Sequence, residues 1–167
     1  MEPSEMLTKD TVCGMQVESG KHQIEYLGQS YFFCSSQCRE RFLANPHLYI
    51  GIPGQKAPKQ EGMSVIKQRK LRLAQPLSPD HAKLLNESLQ SMMGIQAVGI
   101  EGNSILVTYD LFQATAEQIE ERLAEIGVQL GEDWPECLRR AFVHYEEECE
   151  VGNLEVRDDG YAHWRDR

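Results

Sequence analysis

The sequence predicts an α+β chain in three pieces. These are a small treble-clef-like module of loop, hairpin and helix, a βαββαβ domain in the ferredoxin-like order, and a C-terminal helical extension. Three observations carry that prediction. Residues 66–131 alternate strand-period and helix-period apolar patterns, with cap and turn residues between them. Upstream, three cysteines sit in a stretch with too few apolar side chains for a core of its own, a setting in which small domains use a staple. Beyond residue 132, apolar residues recur at spacings of three and four.

In the first piece, "HQIEYLGQSYFF" reads as two short strands around a Leu27–Gly28 turn, with Tyr26 and Phe32 as wall residues. "SSQCRERFLANPHLY" reads as a helix with Ser35 or Ser36 as N-cap, Phe42 and Leu43 facing inward, and Pro46 ending it. Pro53, Gly54, Pro58 and Gly62 then mark a linker. The predicted boundaries are 8–52 for the first module, 53–65 for the linker, 66–131 for the second domain and 132–167 for the extension.

The second domain opens with a strand, "VIKQRKLRLAQP", that places Leu71 and Leu73 on one face. A helix follows, capped by Ser78, with Pro79 at its first position, Asp80 favoured by the helix dipole, and Gly94 as stop. "IQAVGIEG" and "SILVTYD" form a hairpin through Gly102–Asn103. "TAEQIEERLAEIG" opens on a capping box, Thr115 to Gln118, and closes on Gly127; "VQL" supplies a short last strand. In the extension, Trp134, Leu138, Ala141, Phe142 and Tyr145 form one helical stripe. Glu146 to Glu148 lie towards its C-terminal end, where the dipole disfavours negative charge; a solvated face is the expected reason, a basic partner or early fraying the alternatives.

Charge narrows the function. The chain carries a net −9, distributed as −2 over residues 1–54, +4 over 55–70, −5 over 71–131 and −6 over 132–167. Such a balance argues against nucleic acid as the partner. No apolar run is long enough to span a membrane, and "MEPSEMLTKDTVCG" lacks the charge and apolar pattern of a secretory leader, so a cytoplasmic location is expected. Five cysteines leave one over in any disulfide scheme, and in a reducing compartment clustered thiols serve metal binding or redox chemistry.

Cys13 stands in a "CGM" turn, Cys34 at the end of the second strand, and Cys38 in the first turn of the helix, where the dipole favours thiolate. Loop, hairpin and helix bring such positions together. Three thiolates suit trigonal Cu(I) or Ag(I), or Zn(II) with a fourth ligand from His, water or another chain. Within the chain, Met15, His22 and His47 are the fourth-ligand candidates. Cys137 and Cys149, twelve apart and out of phase on one helix, are expected to be packed or incidental.

"DTVCGMQV", "EYLGQSYFFCSSQCRERF" and "NPHLY" together resemble the YHS domain, a relative of the TRASH metal-binding modules, over about residues 8–50. The naming tripeptide is replaced here by Tyr26-Leu27-Gly28. Members occur in heavy-metal ATPases, metal-handling proteins and some multi-component oxygenases. The resemblance implies a soft-metal site at Cys13, Cys34 and Cys38 without naming the ion, since zinc and copper or silver are both proposed across that family.

Residues 66–130 are similar to the heavy-metal-associated domain of copper chaperones and copper ATPases, a ferredoxin-like fold that binds metal through Gly-Met-x-Cys-x-x-Cys. Here Gln75 and Pro76 stand at the Gly-Met, and Ser78 and His81 at the two cysteines. A hydroxyl and one imidazole do not replace two thiolates for Cu(I), so no metal is expected there; Ser78 is an N-cap and His81 an exposed helix residue. The resemblance implies a docking role instead.

The expected function is therefore cytosolic binding, sequestration or trafficking of Cu(I) or Ag(I), with zinc as the alternative ion and no catalysis. The implied partners are a heavy-metal P-type ATPase, another metal carrier, or a second copy of the chain. A zinc-stapled interaction adaptor is the second reading. A thiol oxidoreductase is the weakest, because no Cys-x-x-Cys is present.

Overall fold

The computed structural model describes residues 7–20 and 22–156; the rest of the predicted extension lies outside the described residues. The chain divides into two compact units, one running up to Met63 and including the residues from Gly152 on, the other spanning Ser64–Val151.

The first unit starts with two small antiparallel hairpins. Strands β1 (Leu7–Lys9) and β2 (Gln16–Glu18) pair with Thr8 opposite Val17. Strands β3 (Ile24–Tyr26) and β4 (Gln29–Tyr31) pair with Tyr26 opposite Gln29. Leu27 and Gly28 make the two-residue turn between them with φ of 50° and 76°, the left-handed pair that matches strand twist. Helix α1 (Ser36–Ala44) follows, with Ser35 as N-cap, and a 3-10 turn (Pro46–Leu48) begins at the predicted breaker.

Phe42 is the hub of this unit. It is fully buried, and its ring meets Tyr31 at 5.0 Å, Phe33 at 5.2 Å, Tyr26 at 5.8 Å and Tyr49 at 6.2 Å. Two expectations differ from this core. Phe33, not Phe32, is the fully buried aromatic, because side chains alternate along the extended strand and Tyr31 and Phe33 share the side facing Phe42. Leu43 is 54% exposed; on α1 the buried positions are Gln37, Cys38, Arg41 and Phe42, one face of the helix, and Leu43 falls outside that arc.

Residues read as linker are built into the first unit. Ile52 bridges Gln55, Lys59 N–H donates to Leu48 O at 3.0 Å, and Ala57 is buried.

The second unit holds a three-stranded antiparallel sheet in the order β5 (Ile66–Arg72), β7 (Ser104–Asp110), β6 (Ile95–Glu101). Helices α2 (Pro79–Gln90) and α3 (Ala116–Glu125) supply Leu85, Leu89, Ile119 and Leu123 to the core that also takes Leu71, Ile105, Val107 and Tyr109. Both predicted caps form: Ser78 accepts from His81 N–H, and Thr115 and Gln118 close a capping box. After α2, Gly94 has φ +84°, and a Cβ there would come within 2.6 Å of Gln113 Cβ; both backbone freedom and space demand glycine.

The predicted fourth strand is reduced to one bridge, Leu73 to Leu130, flanked by Ala74 N–H to Gln129 O and Gly131 N–H to Arg72 O. The chain leaves the sheet there for helix α4 (Trp134–Val156). This helix inverts the usual amphipathic rule. Glu136 and Glu147 are buried on it, while Trp134, Leu138, Phe142 and Tyr145 are 76%, 54%, 64% and 64% exposed.

The acidic run has partners after all. Glu150 pairs with Lys67, Glu146 Oε2 lies 3.6 Å from Arg69 Nη2, and Glu147 accepts from Tyr109 O–H and from Ala116 N–H at 2.9 Å. Glu148 stays exposed, as a solvated face would have it, whereas Glu146 and Glu150 find a basic partner in strand β5. Burial first, and then the Glu147 carboxylate, push the Tyr109 phenol well above its ordinary range, so it stays a donor. Cys137 and Cys149, expected to be packed or incidental, are both exposed.

Candidate metal centre

Three elements deliver the thiols. The β1–β2 loop turns tightly at Asp10 to Met15, with Asp10 N–H donating to Met15 O at 2.8 Å and Gly14 N–H to Asp10 O at 2.9 Å, and it presents Cys13. Cys34 follows β4, and Cys38 sits in the first turn of α1. Cys13 Sγ lies 3.4 Å from Cys34 Sγ, and Cys34 Sγ lies 3.6 Å from Cys38 Sγ. Cys38 is fully buried, whereas Cys13 and Cys34 are half-buried.

A fourth residue belongs to this cluster and was not singled out from the sequence. The ligand atoms of Asp10, Cys13, Cys34 and Cys38 all lie within 4.8 Å of one another. Asp10 is 1% exposed. Its Oδ1 accepts from Val12 N–H at 2.7 Å and Cys13 N–H at 3.2 Å, and its Oδ2 accepts from Cys34 N–H at 2.8 Å. The carboxylate thus ties the cysteine loop to the cysteine that ends the second hairpin. Burial alone would raise its pKa, but the Cys34 and Val12 N–H groups and the thiols outweigh that and hold it below the ordinary value. The signal was present in "DTVC": an Asp whose side chain reaches back to the N–H groups two and three residues on is a common local motif.

The sulfurs do not share protons evenly. Donation from Cys38 outweighs burial and lowers the Cys13 thiol to about 7. Burial, followed by the neighbouring Cys13, raises Cys34 to about 12. Cys38 is pushed up as well, first as donor to Cys13 and then by burial and Asp10. Ionisation is thus favoured at the loop cysteine rather than at the helix start, because a thiol beside an anion keeps its proton. An ion bonded to three sulfurs at about 2.3 Å needs S–S separations of about 3.8–4.0 Å. Opening the cluster by a few tenths of an ångström would supply them.

The other candidate ligands stand apart. Neither His22 nor His47 belongs to the group around Asp10. His22 is exposed, and His47 Nε2 lies 3.2 Å from Tyr26 O–H. The Met15 side chain is half exposed. In the second unit, Ser78 Oγ and His81 Nδ1 lie 3.0 Å apart at the exposed start of α2.

An α+β chain with a cysteine-rich group able to hold a metal ion is the class these observations define. Residues 8–52 match the family model of the YHS domain. The copper-transporting P-type ATPase of Rhizobium leguminosarum bv. viciae is 37% identical over 49 residues, which are 28% of this chain and 6% of that protein. This chain therefore spans only a small part of that relative's length. Among solved structures, the CsoZ metallochaperone has 22% identity and a TM-score of 0.38, over 40% of this chain and 99% of that one. A putative copper-ion-binding protein from Bacillus anthracis str. Ames has 15% identity and a TM-score of 0.39, over 41% and 100%. Oxidized MerP from Ralstonia metallidurans CH34 has 12% identity and a TM-score of 0.38, over 40% and 96%. Among the described residues, no helix is long and apolar enough to cross a membrane.

Proposed function

We propose that this protein binds Cu(I) or Ag(I) as exchangeable cargo through Cys13, Cys34 and Cys38, within a YHS module spanning residues 8–52. The observation that carries the reading is the packing of three sulfurs at 3.4 and 3.6 Å beside a carboxylate engaged by three backbone donors. With Asp10 committed to those N–H groups, the donor set is three soft sulfurs, which suits a monovalent soft cation. Likeness to part of a copper-transporting ATPase supports copper. Cys13 and Cys34, both half-buried, meet the ion first, and buried Cys38 completes the set. Handover proceeds by ligand exchange, with an incoming thiolate replacing Cys13 or Cys34. Residues 66–131 dock on a metal carrier such as a heavy-metal P-type ATPase, and the protein works in the cytoplasm without catalysing a reaction.

Anaerobic titration tests the proposal. Cu(I) should saturate at one equivalent per chain, and Cys34→Ser should abolish tight binding; unchanged affinity in that variant would remove the proposal. A zinc-stapled interaction adaptor is the second reading, favoured by the nearness of Asp10 as a hard fourth donor. Exchange separates the two, since a staple keeps its ion against a competing thiol and a cargo site yields it.

A further inference from the structure

We infer that the outer face of α4 is a self-association surface that joins two copies of this chain through antiparallel α4 helices. The inference stands apart from the metal site. Apart from buried Val151, the helix spends its buried face on ionic and polar contacts and turns its large apolar residues outward. Trp134, Leu138, Phe142 and Tyr145 line one open groove along it. At 100° per residue these four and Cys149 fall within an arc of about 80°, one unbroken stripe over four turns.

The spacing of the stripe says what covers it. Trp134, Leu138, Ala141, Phe142, Tyr145 and Cys149 follow one another at intervals of 4, 3, 1, 3 and 4 residues, the same read in either direction. A two-fold axis across the middle then sets Trp134 against the second copy's Cys149, Leu138 against its Tyr145, and Ala141 against its Phe142. Every large residue meets a smaller or flatter one, as an isologous interface requires.

Charge fixes the direction. Arg139, 67% exposed beside Glu136 of its own helix, and Glu146, 48% exposed at 3.6 Å from Arg69, lie on the same flank of the stripe, each with donor or acceptor capacity left towards solvent. Antiparallel pairing brings each Arg139 beside the other copy's Glu146. Parallel pairing would instead crowd two runs of Glu146, Glu148 and Glu150 together, which like-charge repulsion opposes. The area suffices for a reversible dimer: three aromatics and a leucine at these exposures offer about 400–500 Å² per copy, and about 900 Å² in all is at the low end of specific interfaces.

Sedimentation of the full chain over a concentration series is the test. The expected result is a mass rising from one copy to two, with Leu138→Glu and Phe142→Glu each weakening dimerisation more than about tenfold while leaving the circular dichroism and thermal unfolding of the monomer unchanged. A chain that stays monomeric at millimolar concentration overturns the inference, as does a dimer indifferent to both variants. So does a monomer that binds an apolar dye only after removal of the residues beyond Val156, which would assign the stripe to the chain's own tail. Direction is read in a Trp134→Cys, Cys137→Ser variant under mild oxidation: a bridge from position 134 to Cys149 supports the antiparallel pair, and a bridge from Cys149 to Cys149 overturns it.

Discussion

Replacing Asp10 by Ala removes the acceptor of three N–H groups while leaving all three thiols in the chain. Val12 is fully buried, so its N–H at 2.7 Å from Oδ1 loses its partner without gaining water, at about 1–3 kcal/mol. Cys13 and Cys34 are half-buried and recover part of their loss from solvent. The sum is about 3–4 kcal/mol, comparable with the whole stability of a module this size. Part of that cost falls on ion affinity, because Cys13 and Cys34 must then be drawn together by the ion itself: about 2.7 kcal/mol is a hundredfold in Kd. Asp10→Asn keeps one acceptor oxygen but turns an amide towards a donor, and should lose about tenfold. Competition against a chromogenic Cu(I) chelator reads both values. X-ray absorption should show three sulfurs in wild type and in Asp10→Asn alike. The sign with pH follows from the depressed carboxyl: its stabilisation is present above the unfolded carboxylate pKa and is lost as pH falls through the folded value, so the acid limb of metal-free unfolding should flatten in Asp10→Ala. Undiminished affinity in Asp10→Ala would refute the positioning role. An oxygen ligand present in wild type and absent in Asp10→Asn would refute it too, making the carboxylate a ligand.

Two further outcomes follow from the packing. Phe42→Ala deletes the ring at the centre of four aromatic contacts and should cost about 3–5 kcal/mol, enough that the first unit folds only when loaded with metal; far-UV circular dichroism with and without Cu(I) checks it. Glu147→Ala orphans the buried Tyr109 hydroxyl and Ala116 N–H and should destabilise the second unit by about 3 kcal/mol in urea, whereas Glu148→Ala, on an exposed position of the same helix, should change little.

What the sequence made legible was local, and what it hid was tertiary. Caps at Ser78 and Thr115, the Leu27–Gly28 turn and the hairpin around Gly102–Asn103 follow from short-range chemistry, and the structure keeps them. The three thiols are legible as one cluster because loop, strand end and helix start converge in so small a module. Asp10 is not legible there, because an acidic residue in a polar N-terminal stretch reads as surface until the N–H groups it accepts from are in place. The fourth strand failed for lack of length: only Gln129 to Gly131 run beside β5 before the helix begins.

The acidic run on α4 shows where local rules give out. Judged from the sequence, Glu146 to Glu148 sit against the helix dipole, but α4 runs on to Val156 and leaves them more than a turn from its end, where the dipole has little hold. Lys67 and Arg69 lie far away in the chain, and no window of residues could have paired them with Glu150 and Glu146. Once paired, they decide which way α4 rolls. A helix whose acidic face is held by β5 must turn its other face away, and that face carries Trp134, Leu138, Phe142 and Tyr145. Burying those four against their own unit would mean withdrawing Glu147 from Tyr109 and Ala116 and leaving Lys67 and Arg69 without counter-charges. Withdrawing the buried Glu147 leaves the Tyr109 hydroxyl and Ala116 N–H unpaired at about 1–3 kcal/mol each, and the partly exposed Lys67 and Arg69 pairs add less. The exposed stripe is thus a consequence of the ionic seam, and loosening the seam should move it: in Lys67→Glu, Arg69→Glu the helix loses its hold and the fluorescence of Trp134 should change with it.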